Sequence, residues 1–206
     1  MSDVVIRCAR NSDDFLKIAA AVYLTDPYIY PAAFGIDYNQ AICAISKLMS
    51  VEKGLFHYSN FILALHEEEI CGILLYNREG VMWDQQQCEE VLQGVLPHME
   101  NFISVSKQYF IEEATTPPFQ HIEIIALCIM PKFRNRCVGK KLLSWMMEKY
   151  SEYTLTLDVL VNNVAAIKLY EKCGFKIIEE YKGFSLEESN RPDCYHMIKE
   201  PEYIGG

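Results

Sequence analysis

The stretch from 121 to 143, HIEIIALCIMPKFRNRCVGKKLL, limits what this chain can fold into more than any other part of it. It opens with isoleucine-rich apolar residues, the mark of a buried strand. Pro131 ends that strand, because proline has no N–H to give to a sheet ladder. Lys132, Arg134, Arg136, Lys140 and Lys141 follow within ten positions. Val138, Leu142, Trp145 and Met146 recur at helical spacing, so a helix is predicted to begin by about Asn135 or Arg136. The unit is strand, short basic loop, helix. A helix N-terminus exposes unpaired N–H groups and a partial positive charge, and the added cations make it an anion site.

Charge sharpens that reading. Five of the 19 Lys and Arg residues sit in this loop, although the chain carries a net charge of −9. A solvated helix start is the plain alternative. However, like charges crowded at the positive end of a helix destabilise it unless an anion is expected there. The acidic balance also argues against nucleic acid as a partner. No apolar run approaches the roughly 18 residues that span a bilayer, so no membrane partner is expected. The first residues, MSDVVIRCAR, lack the apolar core of a signal peptide and read as mature sequence. Eight cysteines are spread through apolar contexts with no C-x-x-C and no zinc-like spacing. They read as reduced thiols of a cytoplasmic protein that needs no metal. At 206 residues the chain is predicted to form a single domain, 1–206.

In chain order, Val4 to Cys8 reads as a strand, and Ser12 or Asp13 as the cap of a helix running to about Tyr23. Residues 25–34, TDPYIYPAAF, hold two prolines and read as a loop whose Tyr28, Tyr30 and Phe34 either line a pocket or plug the core. A second helix is predicted near Asn39 to Met49. Phe61 to Leu65 and Ile70 to Tyr76 form a hairpin across an acidic turn. Helices fill Trp83 to Phe110, with a lone structural His98, and Thr115 to Phe119 is an extended connector. Thr154 to Val161 alternates as a strand. Asn162 or Asn163 caps a helix from Ala165 to Cys173, and Gly174 stops it. Phe175 to Tyr181 and Asp193 to Lys199 make a last hairpin. The order describes a mixed α/β domain built on one sheet.

Two blocks of the sequence resemble the GNAT superfamily of acyl-CoA-dependent N-acetyltransferases. The first is Ile129-Met130-Pro131 and Phe133, followed by Arg134-Asn135-Arg136-Cys137-Val138-Gly139, similar to the family's V-x-P, aromatic and R/Q-x-x-G-x-G/A. The second is Asn163, Ala166, Leu169, Tyr170, Gly174 and Phe175, similar to N-x-x-A-x-x-L-Y-x-x-x-G-F. The resemblance implies a central, mostly antiparallel twisted sheet flanked by helices, with residues 77–118 as a helical insertion between the third and fourth strands. Cys137 stands where the family has its first motif glycine. Helical backbone angles do not require glycine, so a small Cys is expected to fit there without strain.

The resemblance further implies acetyl-CoA as co-substrate. Arg134, Asn135, Arg136, Cys137, Val138, Gly139 and Lys140 would take its pyrophosphate, with Lys172 also on the cofactor side. Main-chain groups of Leu127, Cys128 and Ile129 would pair with the pantetheine arm, and an N–H there would face the developing oxyanion. Asn163 would cap its helix and bond the pantetheine amide. Glu123, eleven residues before Arg134, matches the spacing of the family's strand-borne glutamate base. An ammonium near pKa 10.4 must lose a proton before it can attack. His121, two residues earlier on the same face, is the other candidate for base or relay. Tyr170 matches the family's acid for the departing thiolate. The expected activity is direct acetyl transfer, through a ternary complex, to a primary amine of a small molecule, a lysine or an N-terminus. Two other readings stay open: a CoA-binding regulatory module with little turnover, motivated by Cys137, and a structural protein whose basic loop meets an acidic partner.

Overall fold

Period-two alternation of apolar residues becomes one sheet with a separate core on each face. The computed structural model describes residues 4–78, 84–107, 120–183, 185–186 and 189–201. Its strands are β1 (Val5–Cys8), β2 (Phe61–His66), β3 (Glu69–Arg78), β4 (His121–Ile129), β5 (Thr154–Leu160), β6 (Lys176–Tyr181), β7 (Ser185–Leu186), β8 (Ser189–Asn190) and β9 (Cys194–Lys199). Seven of them join in the order β1-β2-β3-β4-β5-β9-β6, while β7 and β8 pair by themselves. Among the described residues only β4 and β5 run parallel; the other neighbours are antiparallel.

The helices are α1 (Phe15–Tyr23), α2 (Ile29–Phe34), α3 (Tyr38–Leu48), α4 (Gln85–Leu92), α5 (Met99–Val105), α6 (Val138–Lys149) and α7 (Val164–Lys172). One core gathers residues of α1 to α5 on one face, among them Ile18, Phe34, Ile45 and Phe102. The other gathers Leu142, Met146 and Tyr170 of α6 and α7 on the opposite face. Each such aliphatic or aromatic side chain contributes about 1.5–3 kcal/mol through burial. Both α4 and α5 lie between β3 and β4, where the helical insertion is expected. Trp83, Phe110 and the Thr115 to Phe119 connector lie outside the described residues.

Three expectations need correction. The first helix is capped by Asp14, whose carboxylate accepts from the Lys17 amide at 3.1 Å, because Asp13 is bound to Arg7 at 2.6 and 2.8 Å. The TDPYIYPAAF stretch is not all loop. Pro31 falls in the first turn of α2, where its missing N–H has no helical acceptor to lose, and Tyr30 and Phe34 are buried by tertiary contacts. Phe34 packs 5.5 Å from Phe102 and 6.0 Å from Phe56, a cluster no local pattern announces. Third, α6 begins at Val138, later than its apolar spacing suggests, because the two residues with left-handed backbones before it cannot join a helix.

Candidate active site

Strand β4 is where the site is made, and an irregularity in it does the positioning. Leu75 pairs with Ala126 and Tyr76 with Ile124, so Ile125 is an extra residue without a partner on β3. Such a bulge reverses which face the following side chains take. Before it, Ile122 and Ile124 enter the core beneath α6 and α7; after it, Ala126 and Cys128 enter the core beneath α1 to α5. The bulge also marks where β4 and β5 part. Their pairing ends at Ile124 and Leu157, yet β4 continues along β3 to Ile129 and β5 continues along β9 to Leu160. A gap therefore opens between two adjacent strands of one sheet.

The main-chain groups of β4 beyond the bulge face two ways. Met130 donates to the Cys71 carbonyl at 3.0 Å, so alternation along an antiparallel strand turns Cys128 toward β3 as well. Leu127 and Ile129 then direct their N–H and C=O into the gap. The Arg134 Nε donates to the Ile129 carbonyl at 3.3 Å, as this orientation requires. An extended amide-bearing arm can pair with such an edge.

A cleft of about 580 Å³ runs through the gap. Its walls carry Ile125 to Leu127 of β4, Asp158 to Leu160 of β5, Tyr30 of α2 and Tyr170 of α7. His121, Glu123 and Asn163 line it too, so fold and cleft bring together all three sequence-predicted proton-transfer residues and the helix cap. His121 Nε2 lies 2.7 Å from Thr156 Oγ1, and Thr156 is the strand partner of Glu123, two residues along β4. Asn163 accepts from the Ala166 amide at 3.2 Å and starts α7. Tyr170 is buried beside Phe175, and burial pushes its phenol above the ordinary tyrosine value, which keeps it protonated as a donor. Tyr30, also buried, has its phenol raised for the same reason. Among the described residues the buried Asn77 Oδ1, another atom of the lining residues, accepts no hydrogen bond.

The basic loop lies outside this lining. Arg134, Asn135, Arg136, Cys137 and Lys140 are exposed, whereas Val138 and Gly139 are buried. Lys132 is held by Glu69, and Arg136 sits over the Phe133 ring at 5.6 Å. Lys172 is exposed in the last turn of α7. Gly139 has a packing reason to be glycine: a Cβ there would meet Leu169 Cδ2 of α7 at 2.9 Å. The expectation of a strain-free Cys137 is overturned. Asn135 and Cys137 have φ of +62° and +59°, in the left-handed region that glycine adopts freely. Asn tolerates this region better than most residues; Cys has no such preference. Cys137 is the N-cap of α6 with no side-chain bond to the helix.

Sequence reasoning passed over two pairs. His196 Nδ1 lies 2.6 Å from Asp158 Oδ1, and the hydrogen bond to this carboxylate holds the imidazole above its ordinary pKa of 6.5. Charge from Asp158, Glu123 and Glu179 adds to that rise, while burial opposes it. Arg191 clasps Asp26 at 3.0 and 3.1 Å, tying the segment before β9 to the turn before α2. All four residues line the cleft. A charged residue inside a strongly apolar strand, Asp158 in TLTLDVLV, was the available signal.

Comparison with known proteins agrees with this architecture. The family model described as "Acetyltransferase (GNAT) family" matches residues 30–175. The L-amino acid N-acetyltransferase AaaT of Escherichia coli K12 is 29% identical over 93 residues, which are 43% of this chain and 57% of that protein. The fold is similar to an N-acetyltransferase from Staphylococcus aureus Mu50, with a TM-score of 0.69 and 21% identity over 95% of this chain and all of that one. It is also similar to a GNAT family acetyltransferase from Elizabethkingia anophelis with acetyl-CoA bound, with a TM-score of 0.55 and 16% identity over 96% and 97% of the two chains.

Proposed function

The chain belongs to the acetyltransferase (GNAT) family, and on that premise we propose that it moves an acetyl group from acetyl-CoA to a primary amine by direct transfer within a ternary complex. One observation carries the reading: the parting of β4 and β5 beyond Ile124 and Leu157 opens a cleft that holds Glu123, His121, Asn163 and Tyr170 together. Acetyl-CoA supplies the acetyl group as a thioester. The residues present suit it. Leu127 and Ile129 offer main-chain groups to its amide-bearing arm on the β5 side of β4, beyond the last β4–β5 pair at Ile124. Arg134, Asn135, Arg136, Cys137, Val138, Gly139 and Lys140 offer amides and exposed cations to its pyrophosphate, and Lys172, exposed in the last turn of α7, adds positive charge.

Glu123 removes a proton from the acceptor nitrogen, with His121 beside it on the strand as relay. Tyr170 donates its proton to the departing sulfur; a buried phenol that stays protonated is suited to that task. The acceptor enters from the side of Tyr30. Asn77 Oδ1, a buried acceptor atom lacking a donor among the described residues, matches an amine N–H. The AaaT relative, by its name, acts on L-amino acids, and small-molecule amines of that kind head the acceptor classes, followed by lysine side chains and N-termini. The reaction involves no nucleic acid or membrane. No helix among the described residues is long and apolar enough to cross a bilayer, and all eight cysteines are free thiols, which suits a single domain working in the cytoplasm.

The test is thiol release from acetyl-CoA across a panel of primary amines. Release with at least one amine, dependent on Tyr170, upholds the transferase. The strained Cys137 favours a second reading, a CoA-binding module with little turnover. Calorimetric binding of acetyl-CoA with no release from any amine selects that reading.

A further inference from the structure

Asp158 and His196 sit where the proposed reaction still needs a proton acceptor. An ammonium R–NH3+ that ends as an amide loses two protons. As the new N–C bond forms and the C–S bond breaks, one proton leaves with the thiol product and one leaves with water. Glu123 and Tyr170 account for the first: Glu123 takes a proton from nitrogen, Tyr170 gives one to sulfur, and the proton held on Glu123 restores Tyr170. The other must come off the ammonium before its nitrogen lone pair exists. Glu123, occupied by the proton of the attack step, cannot hold this one as well, and His121 as its relay serves the same step.

We infer that His196, oriented by Asp158, takes that first proton from the incoming ammonium and passes it to water, which makes it a catalytic residue of the transferase reading on which this rests. The geometry is specific. Thr156 is the rung partner of Glu123, and Asp158 is two residues further along β5, so its side chain shares their face just past the last β4–β5 rung. Asp158 and His196 are directly opposed on β5 and β9. The 2.6 Å contact occupies Nδ1 and fixes the tautomer, leaving Nε2 as the exchanging nitrogen of a ring that lines the cleft. His196 is only partly buried, so its proton has a route to solvent.

The groups facing His196 come from several elements. Asp158 on β5, Glu123 on β4 and Glu179 on β6 all favour the imidazolium. Glu179 is its opposite neighbour on β6, and Tyr181 on that strand has its ring 5.8 Å away. Lys182 and Arg191, also on the cleft wall, are engaged by Asp193 and Asp26. The carboxylates set the sign: the imidazole accepts a proton only above a pH higher than the ordinary 6.5.

Two measurements on the full chain test this. In the substrate-free protein, the His196 imidazole followed by NMR should titrate above 6.5, and Asp158→Asn should lower its midpoint; a wild-type midpoint at or below 6.5 overturns the inference. In steady-state kinetics, His196→Gln should lower kcat/KM about 100-fold at pH 7. That deficit should shrink toward pH 10, where the acceptor loses its proton unaided. Asp158→Asn should move the acid limb of the wild-type profile to lower pH. A His196→Gln profile that keeps the wild-type shape, at equal or uniformly reduced height, overturns the role of His196 and leaves the transferase standing. Acetyl-CoA binding without thiol release from wild-type protein on any amine overturns both.

Discussion

Replacing Cys137 by glycine should make this protein more stable, an unusual direction for a glycine substitution. The residue stands at φ +59°, ψ 15°, and is exposed. An L-residue held there costs about 1–2 kcal/mol through the approach of its Cβ to the following carbonyl. Glycine removes that cost but loses more backbone freedom on folding, about 0.5–1 kcal/mol. Because the thiol is exposed and makes no capping bond, little packing is sacrificed. The difference lies between about 0 and 1.5 kcal/mol in favour of glycine, and its midpoint of about 0.75 kcal/mol raises Tm by about 1.5–3 °C for a chain of this length. Cys137→Val adds β-branching to the same strained angle and should lower Tm by a similar amount. Scanning calorimetry of wild type and both variants at one concentration decides it. If glycine destabilises the protein, or if valine is tolerated without loss, the left-handed turn and the reasoning from it are wrong.

Other perturbations probe the cofactor loop, the acid and the scaffold. Arg134→Glu reverses a charge in the basic loop and should weaken acetyl-CoA binding at least about tenfold by calorimetry; unaltered affinity would detach the loop from the pyrophosphate. Tyr170→Phe should lower kcat about 100-fold while leaving acetyl-CoA affinity within about twofold, and full turnover would remove Tyr170 from the acid role. Phe34→Ala, which empties a fully buried site between Phe56 and Phe102, should cost about 3–5 kcal/mol in urea unfolding; a loss under 1 kcal/mol contradicts the packing of α2. The hydrogen bonds from Arg7 hold the Asp13 carboxyl below its usual range. A depressed carboxylate stabilises the fold above its unfolded pKa of about 3.9 and loses that contribution as pH falls through the folded value. Asp13→Asn should therefore flatten the acid side of the stability curve, and an unchanged acid slope argues against the pair.

The two family-like blocks were legible because their information is local. A proline ends β4, alternation marks β5, Asn163 caps α7, and Gly174, at φ +91°, closes it. The polar faces were legible as well, since His121 and Glu123 two apart on a strand must point the same way. Local reasoning failed where two local outcomes were both allowed. Arg134 to Cys137 could have begun a helix, and residues 25–34 could have stayed a loop.

What the sequence by itself determined, then, is most of the catalogue of elements and the position of the basic turn before α6, and its family resemblance put Glu123, Tyr170 and Asn163 in one neighbourhood. Only the tertiary structure decided the extra residue at Ile125, the parting of β4 from β5, the burial that gives α2 its fold, and the meeting of Asp158 with His196 across 38 positions of chain. The physical reason is range. Backbone preference and side-chain period act over a few residues, whereas strand register is settled by the two cores that the sheet must fill at once, and the cleft lies where that register gives out.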